Sequence, residues 1–291
     1  MFFWQLVLSG LSIGSLYAVV GLGIVLLYRT SRVLNFAHGD LAMVTTMIAY
    51  SLLTSAGVVF AGSVALTLLA AFALGSLFYF IVIRPVKEAT LLGQIITTAG
   101  FALVLGGAAV VIWGAGTKAL PFPLSRFRFY DVFGLRIDQL TIGSFIVSVI
   151  TMLLLYLLVQ KTKFGLAMRA VSQNDAAARV LGIPVRRVYA VTWGVSAVLG
   201  AIGGLLLAPV TFVSPTMMFD PFLKGFAAAV LGGLDSLPGV IIGGVILGVV
   251  ENVFGGYVST AFKSTVAFVM IIAVLLVRPE GLLGRKFQRR V

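Results

Sequence analysis

Cysteine is absent from this chain of 291 residues, and histidine occurs only once. Without cysteine there are no disulfides, thiolate metal sites or thiol catalysis. A single imidazole is too few for a metal site built from several ligands. The sequence also lacks a G-x-x-x-x-G-K-S/T motif, so it has no P-loop for ATP. Since no Ser/His/Asp set or pair of carboxylates stands out either, we expect no catalytic residues, no bound metal and no cofactor.

Charged residues are scarce as well, at 10% of the chain, whereas hydrophobic residues make up 60%. A soluble domain carries about 25% charged residues, so this supply is too small to build a water-exposed surface. Several apolar runs approach or exceed the roughly 18–20 residues that cross a bilayer as a helix. The sequence therefore predicts an all-α, polytopic transmembrane bundle in which residues 1–291 form one transmembrane domain.

The formal net charge of +12 is large enough to raise the question of nucleic-acid binding. The Lys and Arg residues, however, cluster in short intervals between the apolar runs. This distribution is the topogenic pattern of a membrane protein. We therefore expect the chain to bind lipid and no nucleic acid.

Nine apolar segments follow one another along the chain, and eight of them are predicted as full helices. The remaining segment, Phe222–Leu234, is the seventh in chain order; it is short and is interpreted as a half-length helix that still crosses the membrane. Residues 114–140 are rich in aromatic, proline and arginine residues, which is typical of a loop at the membrane interface. The eight full helices are predicted at about 5–28, 35–53, 58–83, 94–113, 141–159, 188–212, 240–254 and 264–277.

The distribution of Lys and Arg predicts the orientation. If the N-terminus lies outside and every segment crosses, the intervals 29–35, 84–92 and 160–190 and the tail from Arg278 face the cytoplasm. Most of the 21 basic residues then lie on that side, as the positive-inside rule requires. We therefore predict an external N-terminus, an external loop at 114–140 and a cytoplasmic C-terminus. The basic residues left outside are Lys118, Arg126, Arg128, Arg136, Lys224 and Lys263.

The longest polar interval, Lys161–Tyr189, is predicted to contain two short helices. Gly165 precedes the first, and Asn174 and Asp175 supply an N-cap for the second. Gly182, with a proline two residues later, ends the second helix. A loop needed only for its charge requires neither caps nor an apolar stripe, so we expect this interval to dock onto a partner. The alternative is a solvated charged face that merely sets the topology.

Four glycines in and beside the segment 240–254 have overlapping small-xxx-small spacings: Gly239, Gly243, Gly244 and Gly248. Such spacing lets helix backbones approach closely in lipid, and plain packing within the chain is the interpretation we favour. The alternative is a solute path that these glycines line.

Two polar residues within the apolar segments are candidates for function. Glu251 is the clearest intramembrane acid, and such acids are functional by default. Its alternatives are pairing with Lys224 or Lys263, or reaching the outer interface. His38, close to Asn35, is interpreted first as a cap at the start of the second helix, with pH sensing as the alternative.

Four motifs occur in order: Asn35–Asp40 (NFAHGD), the loop Gly165–Pro184, Ala228–Gly233 (AAVLGG) and Arg278–Gly284 (RPEGLLG). From about residue 5 to 285, the chain closely resembles the integral-membrane permease subunits of bacterial ABC importers for branched-chain amino acids. The resemblance implies a permease of the bacterial inner membrane that carries branched-chain amino acids or a related small polar solute. It also implies its partners: two cytoplasmic ABC ATPases, a second and different permease chain, and a periplasmic solute-binding protein.

The resemblance identifies residues 160–190 as the cytoplasmic coupling loop that docks on an ATPase. A short helix with small residues can enter a groove on a soluble partner, and arginines can meet acidic residues at its rim. The coupling residues that it implies are Gly165, Arg169, Asp175, Ala176, Ala177, Gly182 and Arg186. Our candidates for a translocation path or gate are Asn35, His38 and Glu251.

The rival hypothesis is an ion-coupled secondary transporter or a channel that acts without ATPases. Secondary transporters usually carry ionisable residues at the middle of the membrane, where the coupling ion binds. Only Glu251 is available here, and its position in its segment is off-centre. The sequence therefore favours a permease driven by ATP hydrolysis in separate subunits.

Overall fold

The computed structural model describes residues 2–86, 90–132 and 135–284, and these residues are mostly helical. The helices are α1 (Phe2–Ser31), α2 (His38–Thr54), α3 (Phe60–Phe78, continued by a π-helical stretch at Tyr79–Ile83 and a last turn at Arg84–Val86), α4 (Leu91–Trp113), α5 (Gln139–Lys161), α6 (Lys163–Gln173), α7 (Asp175–Val180), α8 (Val185–Thr211), α9 (Phe219–Gly232), α10 (Leu237–Tyr257) and α11 (Thr265–Val277). Two strands, β1 (Phe129–Val132) and β2 (Leu135–Asp138), form an antiparallel hairpin.

Each of the nine predicted apolar segments corresponds to one helix, within a few residues at either end. Six helices are long and apolar enough to cross a membrane, namely α1, α3, α4, α5, α8 and α10. The helix α11 is apolar but shorter, and α2 and α9 have 17 and 14 residues. The chain is thus a polytopic helical membrane protein, while the count of eight full helices and the orientation stay predictions.

The hairpin in the loop 114–140 is an element that the all-α prediction omitted. Phe129 pairs with Asp138 and Tyr130 with Ile137, so aromatic and β-branched residues occupy the ladder. The second strand leads directly into α5, whose first turn is fixed by Asp138. The Asp138 carboxylate accepts hydrogen bonds from the backbone N–H and the hydroxyl of Thr141, at 2.9 and 2.7 Å.

The chain divides into two compact units. The first comprises Met1–Val25, Leu124–Val149 and Asp220–Val291, and the second comprises Leu26–Pro123 and Ile150–Phe219. The helices α1 and α5 contribute residues to both units because the boundaries fall within them.

In the first unit, the four glycines of α10 are packing positions. A Cβ on Gly248 would collide with the backbone of Gly14 on α1, and one on Gly243 would collide with Ala228 on α9. Gly244 also lies against α1, and Gly239 lies against the end of α9. The packing interpretation is therefore confirmed, because the space that these glycines leave is filled by neighbouring backbones.

The C-terminal part of the first unit closes the end of α9. The backbone N–H groups of Leu282 and Leu283 donate to the carbonyl oxygens of Leu231 and Gly232, at 2.8 and 3.0 Å. Carbonyl groups in the last turn of a helix have no partner within the helix. The motif Arg278–Gly284 thus supplies the donors that α9 needs.

In the second unit, α8 is the central helix and packs against α2 and α3. Gly75 on α3 lets the backbone of α8 approach at Trp193. The Phe78 ring lies against the Trp193 ring, with centroids 5.1 Å apart. Between α8 and α2, a Cβ on Gly200 would meet His38 and Ala42, and a Cβ on Gly204 would meet Thr46 and Ala42.

Candidate functional site

A buried ionic cluster lies in the first unit, where α9 and α10 meet. Glu251 on α10 is 1% exposed, and its Oε1 accepts a hydrogen bond from Lys224 Nζ of α9 at 2.6 Å. The same ammonium lies 2.8 Å from Asp220 Oδ2, one turn earlier on α9. It also lies 5.4 Å from the centroid of the Tyr17 ring on α1. Of the alternatives for Glu251, the structure therefore shows pairing with Lys224.

Lys263, the other predicted partner of Glu251, forms a different contact. It lies between α10 and α11, and its Nζ donates to Asn252 Oδ1 at 2.6 Å. Burial lowers the pKa of Lys263, and the nearby Glu251 carboxylate offsets part of that effect. The Glu251 Oε2 atom is buried and has no hydrogen-bond partner among the described residues.

A second polar region, in the second unit, surrounds the start of α2. Asn35 Oδ1 accepts a hydrogen bond from Ala37 N at 3.0 Å, which closes a short turn before the helix. The hydroxyl oxygen of Thr98 on α4 accepts a hydrogen bond from Phe36 N at 3.3 Å, and its hydrogen is within reach of Ile95 O at 3.0 Å and Leu34 O at 3.4 Å. The connection between α1 and α2 is therefore held by Asn35 from within and by Thr98 from outside.

The interpretation of His38 as a cap is wrong. His38 is the first residue of α2, and the residue at the cap is Ala37, which makes no side-chain hydrogen bond there. The His38 ring is fully buried, and its Nδ1 lies 3.3 Å from Ser196 Oγ on α8. Gly200, one turn after Ser196, leaves room for the ring. His38 is thus a contact between α2 and α8.

The three candidates for a path or gate do not form one cluster within either unit. Asn35 and His38 lie together at the start of α2, in the second unit. Glu251 belongs to the first unit, with Lys224 as its partner. Their roles as path or gate residues stay predictions.

The polar interval contains the two predicted short helices, α6 and α7. The side chain of Asn174 caps α7 by accepting a hydrogen bond from Ala177 N at 3.0 Å. Gly182 follows the helix with φ of +79°, a conformation that glycine adopts without strain. The predicted cap and the predicted stop are therefore confirmed.

The predicted start of the first short helix is wrong. Thr162, rather than Gly165, is the cap, since its Oγ1 accepts a hydrogen bond from Gly165 N at 3.0 Å. Gly165 lies inside α6, where a Cβ would collide with the last carbonyl groups of α5 at Leu158 and Val159. Glycine is needed here because α6 folds back closely on the end of α5.

The helix α7 turns one face inward and the other outward. Ala178 is buried, as are Met168 and Val171 on α6. The opposite side of α7 exposes small and apolar residues: Ala176, Ala177, Val180 (89% exposed) and Leu181 (77% exposed). Apolar residues exposed together in a polar interval are typical of an interaction surface.

The charged residues of this interval border the apolar face. Asp175 and Arg179 form an exposed ion pair, with 3.2 Å between Oδ2 and Nη2. Arg169 donates to Gln160 Oε1 at 3.2 Å and so ties α6 to the end of α5. Arg186 is exposed at the start of α8. Within the residues that the structure describes, no group of three or more His, Cys, Asp or Glu side chains is arranged to hold a metal ion.

Residues 6–275 match the family model for branched-chain amino acid transport system / permease component. The chain belongs to this family. The relatives include the LivH permease protein of the high-affinity branched-chain amino acid transport system of Salmonella typhimurium, at 32% identity over 98% of this chain and 96% of that protein. The corresponding BraD permease protein of Pseudomonas aeruginosa is 33% identical over 97% and 95%.

Among solved structures, PsaBC from Streptococcus pneumoniae in complex with Fab aligns over 96% of this chain and 93% of that chain, with a TM-score of 0.49 and 15% identity.

Family membership confirms that the chain is the membrane-spanning permease subunit of an ABC importer, a transport component that works with ATPase and other partner subunits. The comparisons give no support to a carrier or channel that acts alone.

Two features of this permease were predicted incompletely. Lys224 was one of two lysines predicted as partners of Glu251, but its burial within α9 was not predicted. The contact of Ser196 with His38 was not predicted, because it spans 158 residues of sequence.

Proposed function

We propose that this permease carries branched-chain amino acids, or a related small polar solute, across the inner membrane of a bacterium. Support comes from two relatives that are named for branched-chain amino acid transport and that align over nearly their whole length. We further propose that the N-terminus lies outside, that the C-terminus is cytoplasmic, and that the whole chain, residues 1–291, is one permease domain. The basic residues concentrated at 160–190 support this orientation.

The coupling mechanism depends on one observation, the exposed apolar face of α7. In our proposal, residues 160–190 lie in the cytoplasm, and Ala176, Ala177, Val180 and Leu181 insert into a groove of an ATPase subunit. An amphipathic helix that lays its apolar face in a groove is a common mode of recognition. The Asp175–Arg179 pair and Arg186 would stand at the rim, where charges set orientation and association rate.

Internal contacts make the interval suitable for transmitting motion. Gly165 brings α6 against the end of α5, and Arg169 reinforces that contact. The chain then enters α8 at Val185, three residues after the turn at Gly182. A displacement of α7 would therefore be passed to two membrane helices at once. We infer that ATPase closure moves α5 and α8 in this way and opens the path alternately to each side.

The remaining partners follow from the proposed orientation. Two ATPases and a second, different permease chain would complete the membrane complex. A periplasmic binding protein would deliver the solute at the outer face, near residues 114–140 and 213–224. Asn35, His38 and Glu251 are our proposed path or gate residues, since all three are buried polar groups on helices of the bundle.

The test of coupling is a charge reversal on α7. Asp175→Arg should abolish co-purification of the ATPase while the variant still inserts in the membrane, and Gly182→Trp should do the same. The matched control is Asp131→Arg on β1, because Asp131 is also an exposed aspartate that faces an arginine, with 3.6 Å to Arg136. Normal co-purification with Asp175→Arg, or a loss with the control, would contradict the docking proposal.

The test of the energy source uses proteoliposomes that contain the complete importer. Leucine uptake should require ATP and both ATPase subunits, and it should be indifferent to ion gradients. Uptake by the purified chain alone, driven by an ion gradient, would instead restore the secondary transporter.

A further inference from the structure

The ammonium group of Lys224 occupies a site with three distinct partners. Glu251 Oε1 and Asp220 Oδ2 lie 2.6 and 2.8 Å from Lys224 Nζ. The Tyr17 ring presents an aromatic surface at 5.4 Å from the same atom. Two carboxylates and an aromatic ring are the groups with which proteins recognise organic cations. The cluster therefore has the chemistry of a site for a primary ammonium group.

The Glu251 carboxylate has one strong donor, because Lys224 binds Oε1. The Tyr17 hydroxyl also interacts with this carboxylate, but Oε2 is buried and receives no hydrogen bond of good geometry from the described residues. Buried polar atoms in native proteins nearly always have a partner, and an exception calls for an explanation. A second donor that enters this site during transport would satisfy Oε2.

The site has one accessible side. The side chain of Asp220 is 55% exposed, while those of Lys224 and Glu251 are 7% and 1% exposed. Lys224 has a flexible four-carbon stem that lets its ammonium move without moving α9. The ammonium can therefore leave Glu251 and stay near Asp220, at the exposed side of the cluster.

We propose that Glu251, Asp220 and Tyr17 bind the ammonium group of a zwitterionic amino-acid solute, and that Lys224 occupies this site when no solute is present. When the solute enters, its ammonium replaces that of Lys224 between the carboxylates, and the freed Lys224 ammonium pairs with the solute carboxylate. The proposal depends on the proposed function, because it assumes that the solute is an amino acid. It goes further by assigning the residues that recognise the two charges.

Charge balance supports this exchange. An unpaired charge in the interior of a membrane protein is costly, so a zwitterion needs one group of each sign along its path. The exchange adds one positive and one negative charge, and each of them finds a partner as it enters. A cluster with acids alone would leave the solute carboxylate unpaired. The lysine is thus both the internal competitor of the solute and the partner of its carboxylate.

The alternative is a static clamp in which the ion pair only joins α9 to α10. The double variant Lys224→Met/Glu251→Leu separates the two interpretations, since replacing both members of a buried pair with apolar residues usually preserves stability. In the reconstituted importer we expect normal assembly and normal ATP hydrolysis stimulated by the binding protein. We expect ATP-driven leucine uptake to fall roughly tenfold or more, because both charge-assisted contacts with the solute are lost. Leucine uptake at the wild-type rate would overturn the proposal in favour of the clamp.

A binding measurement on the purified permease complex tests the site itself. The probes are leucine, 3-methylbutylamine, which keeps only the ammonium, and 4-methylpentanoate, which keeps only the carboxylate. With Lys224→Met, we expect binding of the amine to strengthen, because its tethered competitor is gone, and binding of leucine to weaken relative to the amine. A static clamp predicts that Lys224→Met does not change the affinity for the amine relative to the affinity for leucine. An unchanged ratio of these two affinities would overturn the proposal. If this variant fails to assemble, the double variant decides.

The control is Lys263→Met, which removes a nearby lysine of the same charge whose direct contact is with Asn252, while the ion pairs of Glu251 and Asp220 are with Lys224. It should leave uptake and the order of probe binding as in the wild type. Failure of the proposed function has a different signature, since the wild-type importer would then transport no amino acid at all. Wild-type transport that survives in the double variant rejects only the ammonium site.

Discussion

Two ion pairs in this chain have similar geometry and opposite surroundings. Lys224 and Glu251 lie 2.6 Å apart with side chains 7% and 1% exposed, whereas Arg179 and Asp175 lie 3.2 Å apart with side chains 60% and 40% exposed. Removing one member of a buried pair leaves a charge without compensation, while water replaces a lost partner at the surface. The same interaction is therefore structural in one place and dispensable in the other. Residues on the exposed face of α7 can therefore be selected for binding a partner, because the stability of the fold does not depend on them.

The Asp175–Arg179 pair is solvated as proposed only if α7 faces water in the cytoplasm. The chain has no cysteine, so a single introduced cysteine is an unambiguous reporter. In cells that express the permease without its ATPase subunits, Ala176→Cys should resist an impermeant thiol reagent in intact spheroplasts and react fully after the membrane is opened. The counterpart is Thr260→Cys, between α10 and α11, which should react in intact spheroplasts. Labelling of Ala176→Cys from outside would invert the proposed topology.

Breaking the buried pair should have a large effect on stability. Lys224→Met leaves Glu251 buried without its cation, and we expect a loss of about 3–5 kcal/mol in the free energy of unfolding. Unfolding in detergent, followed by circular dichroism against denaturant, measures this loss. The double variant Lys224→Met/Glu251→Leu should recover most of it. A single variant as stable as the wild type would show that water reaches the cluster.

An intermediate effect is expected at the turn that ends α7. Gly182 has φ of +79°, and an added Cβ would meet no neighbouring atom. Gly182→Ala should therefore lower the free energy of unfolding by about 1–2 kcal/mol through backbone strain alone. Because this strain falls on the coupling interval, we expect weaker ATPase co-purification with the transmembrane helices intact. Gly107→Ala is the control, since Gly107 is also in open space but lies within α4. A loss of similar size in the control would rule out backbone strain as the cause.

The smallest effect should follow from breaking the exposed pair. Arg179→Ala removes the ion pair with Asp175, and we expect a change below about 0.5 kcal/mol in the free energy of unfolding. The same denaturation experiment as for Lys224→Met gives the value. A loss comparable to that of the buried pair would mean that burial does not determine how much each pair contributes to the free energy of unfolding.

Features that depend on neighbouring residues could be predicted from the sequence. Apolar runs predicted the six helices that are long and apolar enough to cross a membrane, among the described residues. The cap at Asn174 and the stop at Gly182 were predicted because both act within a few residues. The hairpin at 129–138 was missed because its strands are four residues each and lie in a segment whose composition indicated only an interface.

The contacts that build the candidate sites come from distant parts of the chain. Lys224 and Glu251 are 27 residues apart, and His38 and Ser196 are 158 residues apart. The pattern around Glu251 gave two lysines as equal partners, and only the packing of α9 on α10 distinguishes Lys224 from Lys263. Gly165 was similarly misread, because its role depends on how α6 turns back on α5.

The backbone contacts of Leu282 and Leu283 with α9 determine how this protein can be engineered. Truncation after Pro279 would strip two carbonyl oxygens of their donors at the end of the helix that carries Lys224. A purification tag therefore belongs beyond Gly284 or at the N-terminus. A truncation that removes Leu282 and Leu283 would disturb the packed end of α9.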